Sequence, residues 1–426
     1  MYKDKRKVEE KQENSREVEK QLVRLLWPVL VGLKKQLDRR LVSTFLGLVM
    51  VIVRHRHRNQ GLLLSALGSY LLGAEHGRAG TKRISNLVHS KKWQASLIED
   101  FLWQAGTQGE HPWVIWDESV LEKPESLQAE KLCPVRSTKA ARLKRIKPGF
   151  FNPPSGRPIF VPGFHWLQIL VIGRKGTPTR GAQASQRRSE ESEALGYIDG
   201  LWGKEVLHIW DRGFAGNPWL TQAFLHGARF VLRWPKNYYL LDEQGQLRKP
   251  GELSNGKRSW EHRLLWDARR RCQRQTGIIA FPVFDPTHQQ PLWLVIARRK
   301  GQSPWYLLTN QPAHAPELAW QIVLAYARRW QVEMTIRYNK SELAFESPRV
   351  FKWSPRHKLF LIAALLLEPA LTHLSAWLWH TFCHRTGKRS RNTPAPLYRL
   401  RFALSFLWLF HPPLSSLIYK IRGVSC

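Results

Sequence analysis

The sequence predicts an α/β protein with a helical region in front, helices behind and a β-rich stretch inserted late in the sheet-forming part. Three observations carry that prediction. From Val18 to about Gly106 apolar residues recur at helical spacing, as in LVSTFLGLVMVIV and LLLSALGSYLLG. After Gly109 the texture changes to WVIWD at 113–117, FHWLQILVIG at 164–173, a helix over 188–202 and VLHIWD at 206–211. Strands and helices alternating in this way make a mixed or parallel sheet. From about 228 to 309 nearly every signal is a strand (ARFVLRW, NYYLLDE, TGIIAFPVF, PLWLVIARR, PWYLLTN), punctuated by Gly, Pro, Asn and Asp.

These shifts divide the chain into a charged lead-in at 1–20, a helical region at 21–108, the first part of the α/β core at 109–227, the β-rich insertion at 228–312, the rest of the core at 313–355 and a helical C-terminal region at 356–426. No internal repeat of fixed period is present.

At 426 residues the chain can bury cores for two or three domains. Its 67 Lys and Arg stand against 33 Asp and Glu, a net charge of +34, with a pI near 10.5. Such a surface repels itself unless a polyanion is near, and nucleic acid is the usual one. With 43% hydrophobic residues the chain is not a disordered charged tail. Cys133, Cys272, Cys383 and Cys426 lie far apart without C-x-x-C pairing, which excludes a zinc finger or disulfide scaffold and suits a reducing cytoplasm. The N-terminal MYKDKRKVEEKQEN lacks the apolar core of a signal peptide. Residues 359–379 invite a membrane reading, but Glu368, Pro369 and His373 interrupt them, so a buried helix or helix pair is expected, and no membrane partner.

Basic clusters follow the apolar helices, notably RHRHR at 54–58 and TKRISNLVHSKKW at 81–93. Two readings stand for this region: a DNA-binding helical bundle, or a helical cap with solvated Lys and Arg. The neighbours of His55 and His57 are arginines, which points to phosphate contact or a solvated face rather than a metal. His208, His373 and His380 lie in apolar stretches, as core histidines do. The basic tract at 139–148 is a solvated loop in the free protein and a phosphate-tracking one on DNA.

In LAYARRWQVEMTIRYNK, Tyr326, Arg329, Glu333, Arg337 and Lys340 are spaced by 3, 4, 4 and 3. On a single helix they share a face about 80° wide, one carboxylate among three cations and a tyrosine. Taken alone, such a face is an exposed one laced with ion pairs four residues apart. Asp117 and Asp211 each end an apolar run, and either alone is an ordinary turn or N-cap residue. LLWD at 264–267 is a warning of this kind, since Asp267 ends a similar run inside the β-rich insertion. Together, Asp117, Asp211 and Glu333 would supply three hard carboxylates able to hold two Mg²⁺ ions for phosphoryl transfer. They lie 94 and 122 residues apart, so only the fold can bring them together.

Over residues 80 to 350 or so, the chain resembles the DDE transposases of bacterial insertion sequences, in the group with a Y-x2-R-x3-E-x6-K signature. Tyr326, Arg329, Glu333 and Lys340 match that signature at every spacing, Asp211 stands in IWDRGFAG, similar to the second motif, and Asp117 in VIWDES resembles the first. The resemblance implies a ribonuclease-H-like catalytic core with a β-rich insertion between the second Asp and the Glu. It implies that Asp117, Asp211 and Glu333 are catalytic and bind two Mg²⁺ ions, with Mn²⁺ able to substitute. Tyr326, Arg329 and Lys340 would contact transposon-end phosphates, with Arg337 beside them. Hairpin-forming relatives stack a flipped base on a Trp 21 residues before the signature Tyr, and Trp305 stands there; with 20 tryptophans in the chain, packing is the other reading. A homodimer acting in trans on terminal inverted repeats and target double-stranded DNA is implied as well, with 359–383 and 399–421 as candidate contacts and a cytoplasmic, nucleoid-associated location. The rival readings are a catalytically silent DNA-binding relative, a ribonuclease-H-like nuclease without strand transfer and a basic membrane-associated protein.

Overall fold

A computed structural model of the chain describes residues 2–55, 59–105, 113–123, 128–137, 139–140, 158–172, 178–183, 188–267, 272–365 and 397–412. The chain divides into two compact units, one of Met1–Ala105, Val120–Trp166 and Thr335–Cys426, the other of Gly106–Ser119 and Leu167–Met334. His57, His373, His380, Cys383, Cys426 and most of the 139–148 tract lie outside the described residues, as does the apolar stretch beyond Leu365 up to 396.

The first unit is mainly helical. The charged lead-in forms the first half of α1 (Tyr2–Gln36). Its inner face already buries Ser15, Val18 and Glu19 and continues through Leu22, Leu26, Leu30 and Leu33. Asp38 caps α2 (Arg39–Arg54), its carboxylate accepting from Leu41 N at 2.9 Å. Helices α3 (Leu64–Leu72) and α4 (Gly77–His89) cross at Gly68 and Gly80, where a Cβ on Gly80 would stand 2.1 Å from the Gly68 carbonyl. Only glycine permits that approach. Helix α5 (Ser96–Ala105) follows. The described helices at Trp353–Ala364 and Leu397–Phe410 belong to the same unit. Buried cations tie them in: Lys358 donates to Ser90 O at 2.8 Å and lies over the Trp93 ring, while Arg401 donates to Ile52 O at 2.7 Å and to Glu342 O. Among the described residues no helix is long and apolar enough to cross a membrane.

The strands are β1 (Trp113–Glu122), β2 (Cys133–Arg136), β3 (Phe160–Ile172), β4 (Pro178–Gln183), β5 (Leu207–Trp210), β6 (Arg229–Arg233), β7 (Leu240–Leu241), β8 (Leu247–Arg248), β9 (Glu261–Asp267), β10 (Cys272–Phe284), β11 (Pro291–Arg299) and β12 (Trp305–Thr309). They form one mixed sheet in the order β2-β3-β1-β5-β6-β12-β11-β10-β7-β8, with β4 on β3 and β9 on β10. Strands β1, β5 and β6 are parallel. Strand β12 runs antiparallel to β6, and β11 and β10 follow as antiparallel neighbours. All four residues of β5 are buried, as befits a central parallel strand covered on both faces.

The helix expected over 188–202 is α6 (Arg188–Trp202), which leads into β5. Helix α7 (Asn217–Leu225) links β5 to β6; Gly216, at φ 131°, makes the turn into it. The strand signals from 228 onward therefore divide. β6 is the parallel neighbour of β5, and β7 to β12 form the antiparallel extension that precedes α8 (Pro316–Ala327) and α9 (Trp330–Ser341).

Candidate active site

Register brings the first two carboxylates together. Along the parallel pair, Ile115 and Trp116 lie opposite Ile209 and Trp210. The next residues, Asp117 and Asp211, therefore leave the paired stretch at the same level. Strand β1 continues to Glu122, so Asp117 is not the end of its strand, as the apolar run suggested; it is the first residue past the pairing with β5. Asp211 fills the N-cap position and the outward-facing one together: Oδ1 accepts from Arg212 N at the head of a 3₁₀ turn, and Oδ2 faces the Arg329 guanidinium.

An aromatic layer fixes the backbone beneath both aspartates. Trp116 and Trp210 are fully buried, and Trp219 packs edge-on against them with ring centroids 5.7 and 5.1 Å away. Trp116 Nε1–H donates to Nδ1 of His208 at 3.0 Å, and burial pushes the His208 pKa down to about 3. It is a core histidine, with no part in ligation.

The third carboxylate arrives from an interrupted helix, which corrects the single helical face expected from the spacing. α8 ends at Ala327 and α9 begins at Trp330. Across the joint the N–H groups of Arg328, Arg329, Gln331 and Val332 donate to the carbonyls three residues back, which tightens the backbone to 3₁₀ geometry. Tyr326 ends up buried in the last turn of α8, Arg329 in the joint, and Glu333 on α9. Arg337 and Lys340 follow on α9, in the part of the chain that belongs to the first unit.

The joint turns Arg329 toward all three carboxylates. Its Nη1 lies 3.2 Å from Asp211 Oδ2 and 3.8 Å from Asp117 Oδ2, and its Nη2 donates to Glu333 Oε1. Residues 94 and 122 positions apart thus meet one guanidinium whose side chain is 16% exposed. Burial raises the Asp117 pKa to about 7; Asp211 and Glu333 push it the same way and Arg329 opposes them. Arg329 is held above the usual arginine range: burial works against its charge, and Tyr326, Asp211, Glu333 and Asp117 outweigh it.

Asp117, Asp211 and Glu333 present the hard oxygen donors that Mg²⁺ takes, around a point already held by a cation. In donor chemistry and charge the set fits a divalent ion. As they stand, the described residues contain no group of three His, Cys, Asp or Glu close enough to hold a metal; each of these carboxylates meets the guanidinium instead.

Trp305, the first residue of β12, packs edge-on against Tyr326, with ring centroids 5.2 Å apart. Two cations missed in the sequence join it. The Arg299 guanidinium lies 3.8 Å over the Trp305 ring, and that of Arg233 lies 5.8 Å from Trp305 and 5.9 Å from Tyr326. Ala297 faces Trp305 and Leu307 faces Arg233, so the two-residue alternation puts Arg299, Trp305 and Arg233 on one face. That alternation in VIARR and RFVLR is a signal only once the register is known. Asp267 is structural: it is buried in β9, 3.6 Å from Arg274, and accepts from Gln302 at 3.2 Å. His55 stacks on Tyr70 at 4.1 Å.

Neither a scan against protein-family models nor a search of the curated proteins finds a match to this chain.

Proposed function

We propose that this chain is a DDE transposase that binds the terminal inverted repeats of an insertion sequence, cleaves DNA at its ends and joins the 3′ ends to target DNA. One observation carries the reading: Asp117 and Asp211 leave adjacent parallel strands at matched register, and Glu333, supplied after a long β insertion, closes on the same point. The strand order supports it. β1, β5 and β6 are neighbouring parallel strands, so the residues that follow the paired stretches of β1 and β5, Asp117 and Asp211, emerge side by side.

In this reading Asp117, Asp211 and Glu333 hold two Mg²⁺ ions, or Mn²⁺ in their place. Metal bound there supplies activation of water or of a DNA 3′ hydroxyl, and stabilises the departing oxygen. The chain's own residues position the DNA. Tyr326, Arg329, Arg337 and Lys340 take phosphates next to the scissile bond, and Trp305 offers an aromatic platform for an unpaired base, worth about 1–3 kcal/mol. In-line displacement at phosphorus needs little else from a protein than positioning and charge neutralisation. The working form is a homodimer on paired ends, in the cytoplasm at the nucleoid.

The test is end cleavage. Purified chain with Mg²⁺ and a plasmid carrying the element's own ends should give end-specific nicks with 3′ hydroxyls, lost in Asp211→Ala and Glu333→Ala. Specific binding without cleavage in Mg²⁺ or Mn²⁺ would make this a silent DNA-binding relative. Cleavage regardless of the ends would make it a nuclease.

A further inference from the structure

We propose that Arg329 is a built-in counter-ion that holds the carboxylates in place before metal arrives and must leave them for a divalent cation to bind. The inference rests on the metal-site reading above and goes beyond its assignment of Arg329 to a DNA phosphate.

Three carboxylates converging without a cation would repel one another, and Asp117 in particular is only 19% exposed. The guanidinium answers that repulsion. Its fork is planar and always charged, and one side chain reaches Asp117 and Asp211 through Nη1 and Glu333 through Nη2. The position is set by the backbone: the 3₁₀ joint at Arg328 and Arg329 interrupts what would otherwise be one continuous helix.

A divalent ion on these oxygens and the guanidinium compete for the same lone pairs and the same charge. The two states are therefore exclusive: arginine-closed, or metal-loaded with Arg329 withdrawn. A DNA phosphate beside the site is an alternative partner for the released guanidinium. DNA arrival would then favour metal loading, and, by linkage, metal would favour DNA.

The test uses the full chain without DNA and reads Mn²⁺ binding by electron paramagnetic resonance, with thermal midpoints alongside. Arg329→Gln should bind Mn²⁺ about tenfold more tightly than the native chain, in the range typical of coupled sites. It should melt lower without metal and regain the difference when Mn²⁺ is added. Arg329→Lys, which keeps the charge but lacks the fork, should fall between the two and serves if the glutamine variant does not fold. Asp211→Asn is the control that identifies binding at this site. Mn²⁺ binding that is Asp211-dependent in the native chain but unchanged or weaker in both Arg329 variants would overturn the counter-ion role and leave the metal site standing. Absence of Asp211-dependent binding in native and variant chains alike would remove the metal-site reading, and this inference with it.

Discussion

His208 lies inside the aromatic layer with no exposed surface, accepting from Trp116 through Nδ1, which leaves the ring proton on Nε2. Burial, with a smaller push from the neighbouring His226, lowers its pKa to about 3; Asp199, 4.0 Å from Nε2, is the carboxylate that faces it. A histidine whose folded pKa is depressed contributes stability that is complete above its unfolded pKa and is lost as pH falls toward the folded one. Below about pH 6.5 the chain should lose up to about 1.4 kcal/mol per pH unit from this residue. Thermal midpoints of His208→Gln, which can still accept from Trp116, should fall less steeply than the native ones between pH 6.5 and 4; equal slopes would remove the assignment. The same layer explains how much of the site was legible at this scale. Ile-Trp-Asp occurs at 115–117 and again at 209–211, and each Trp anchors beneath the sheet so that its Asp emerges beside the other. The repeat is visible in sequence. Arg233 and Arg299 were not, because a cation in a strand acquires a neighbour only when the cross-strand register is known.

At the scale of elements the sequence misleads most at the joint between α8 and α9. Residues 326 to 340 keep helical spacing throughout, and ARRWQ contains no Gly or Pro to mark a break. The interruption coincides with the turning of Arg329 onto three carboxylates from elsewhere in the chain, a tertiary demand that local propensity cannot report. In the β insertion, by contrast, β7, β10, β11 and β12 were legible as apolar runs separated by turn residues, while β8 and β9 were not among the strand signals. Nor was its attachment legible. The β10–β11 turn docks on α7 through a relay in which Asp285 Oδ2 lies 2.6 Å from His288 Nδ1, and His288 Nε2 lies 2.9 Å from Thr221 Oγ1; Asn217 also donates to Thr287. Asp285 is fully buried and accepts from the backbone of Thr287 and His288 as well. His288→Ala should therefore cost on the order of 1–3 kcal/mol locally, the range for leaving a buried acceptor short of a donor. Amide exchange should speed up at the 285–290 turn and in α7 while β1 and β5 stay protected. Unchanged exchange at the turn would show that the latch carries no weight.

For the whole molecule the governing quantity is charge. A surplus of 34 positive charges cannot be accounted for by folding, since net repulsion opposes the compact state. Some cations are structural: Arg356, Lys358 and Arg401 are buried and donate to carbonyls, and Arg329 faces carboxylates. Among the described residues, Lys123 and Arg299 are the other buried cations, so the surplus charge is carried mainly by side chains that keep some exposure, where phosphates can be neutralised. Binding to duplex DNA should then be dominated by counterion release, with log K falling by about 0.9 per neutralised phosphate for each decade of salt. With 6–10 contacts, affinity for a 30-base-pair duplex should drop roughly 10³- to 10⁵-fold between 50 and 200 mM NaCl, as read by fluorescence anisotropy. Arg337→Ala and Lys340→Ala should each lower the slope by about one without changing the preference among sequences, because a phosphate contact positions but does not read bases. Arg356→Ala, which removes a buried cation, should leave the slope alone while lowering stability. A shallow slope in the native chain, equivalent to one or two phosphates, would mean that the surplus charge answers to some polyanion other than duplex DNA, and with it would go the premise that joins the basic surface to the carboxylate site.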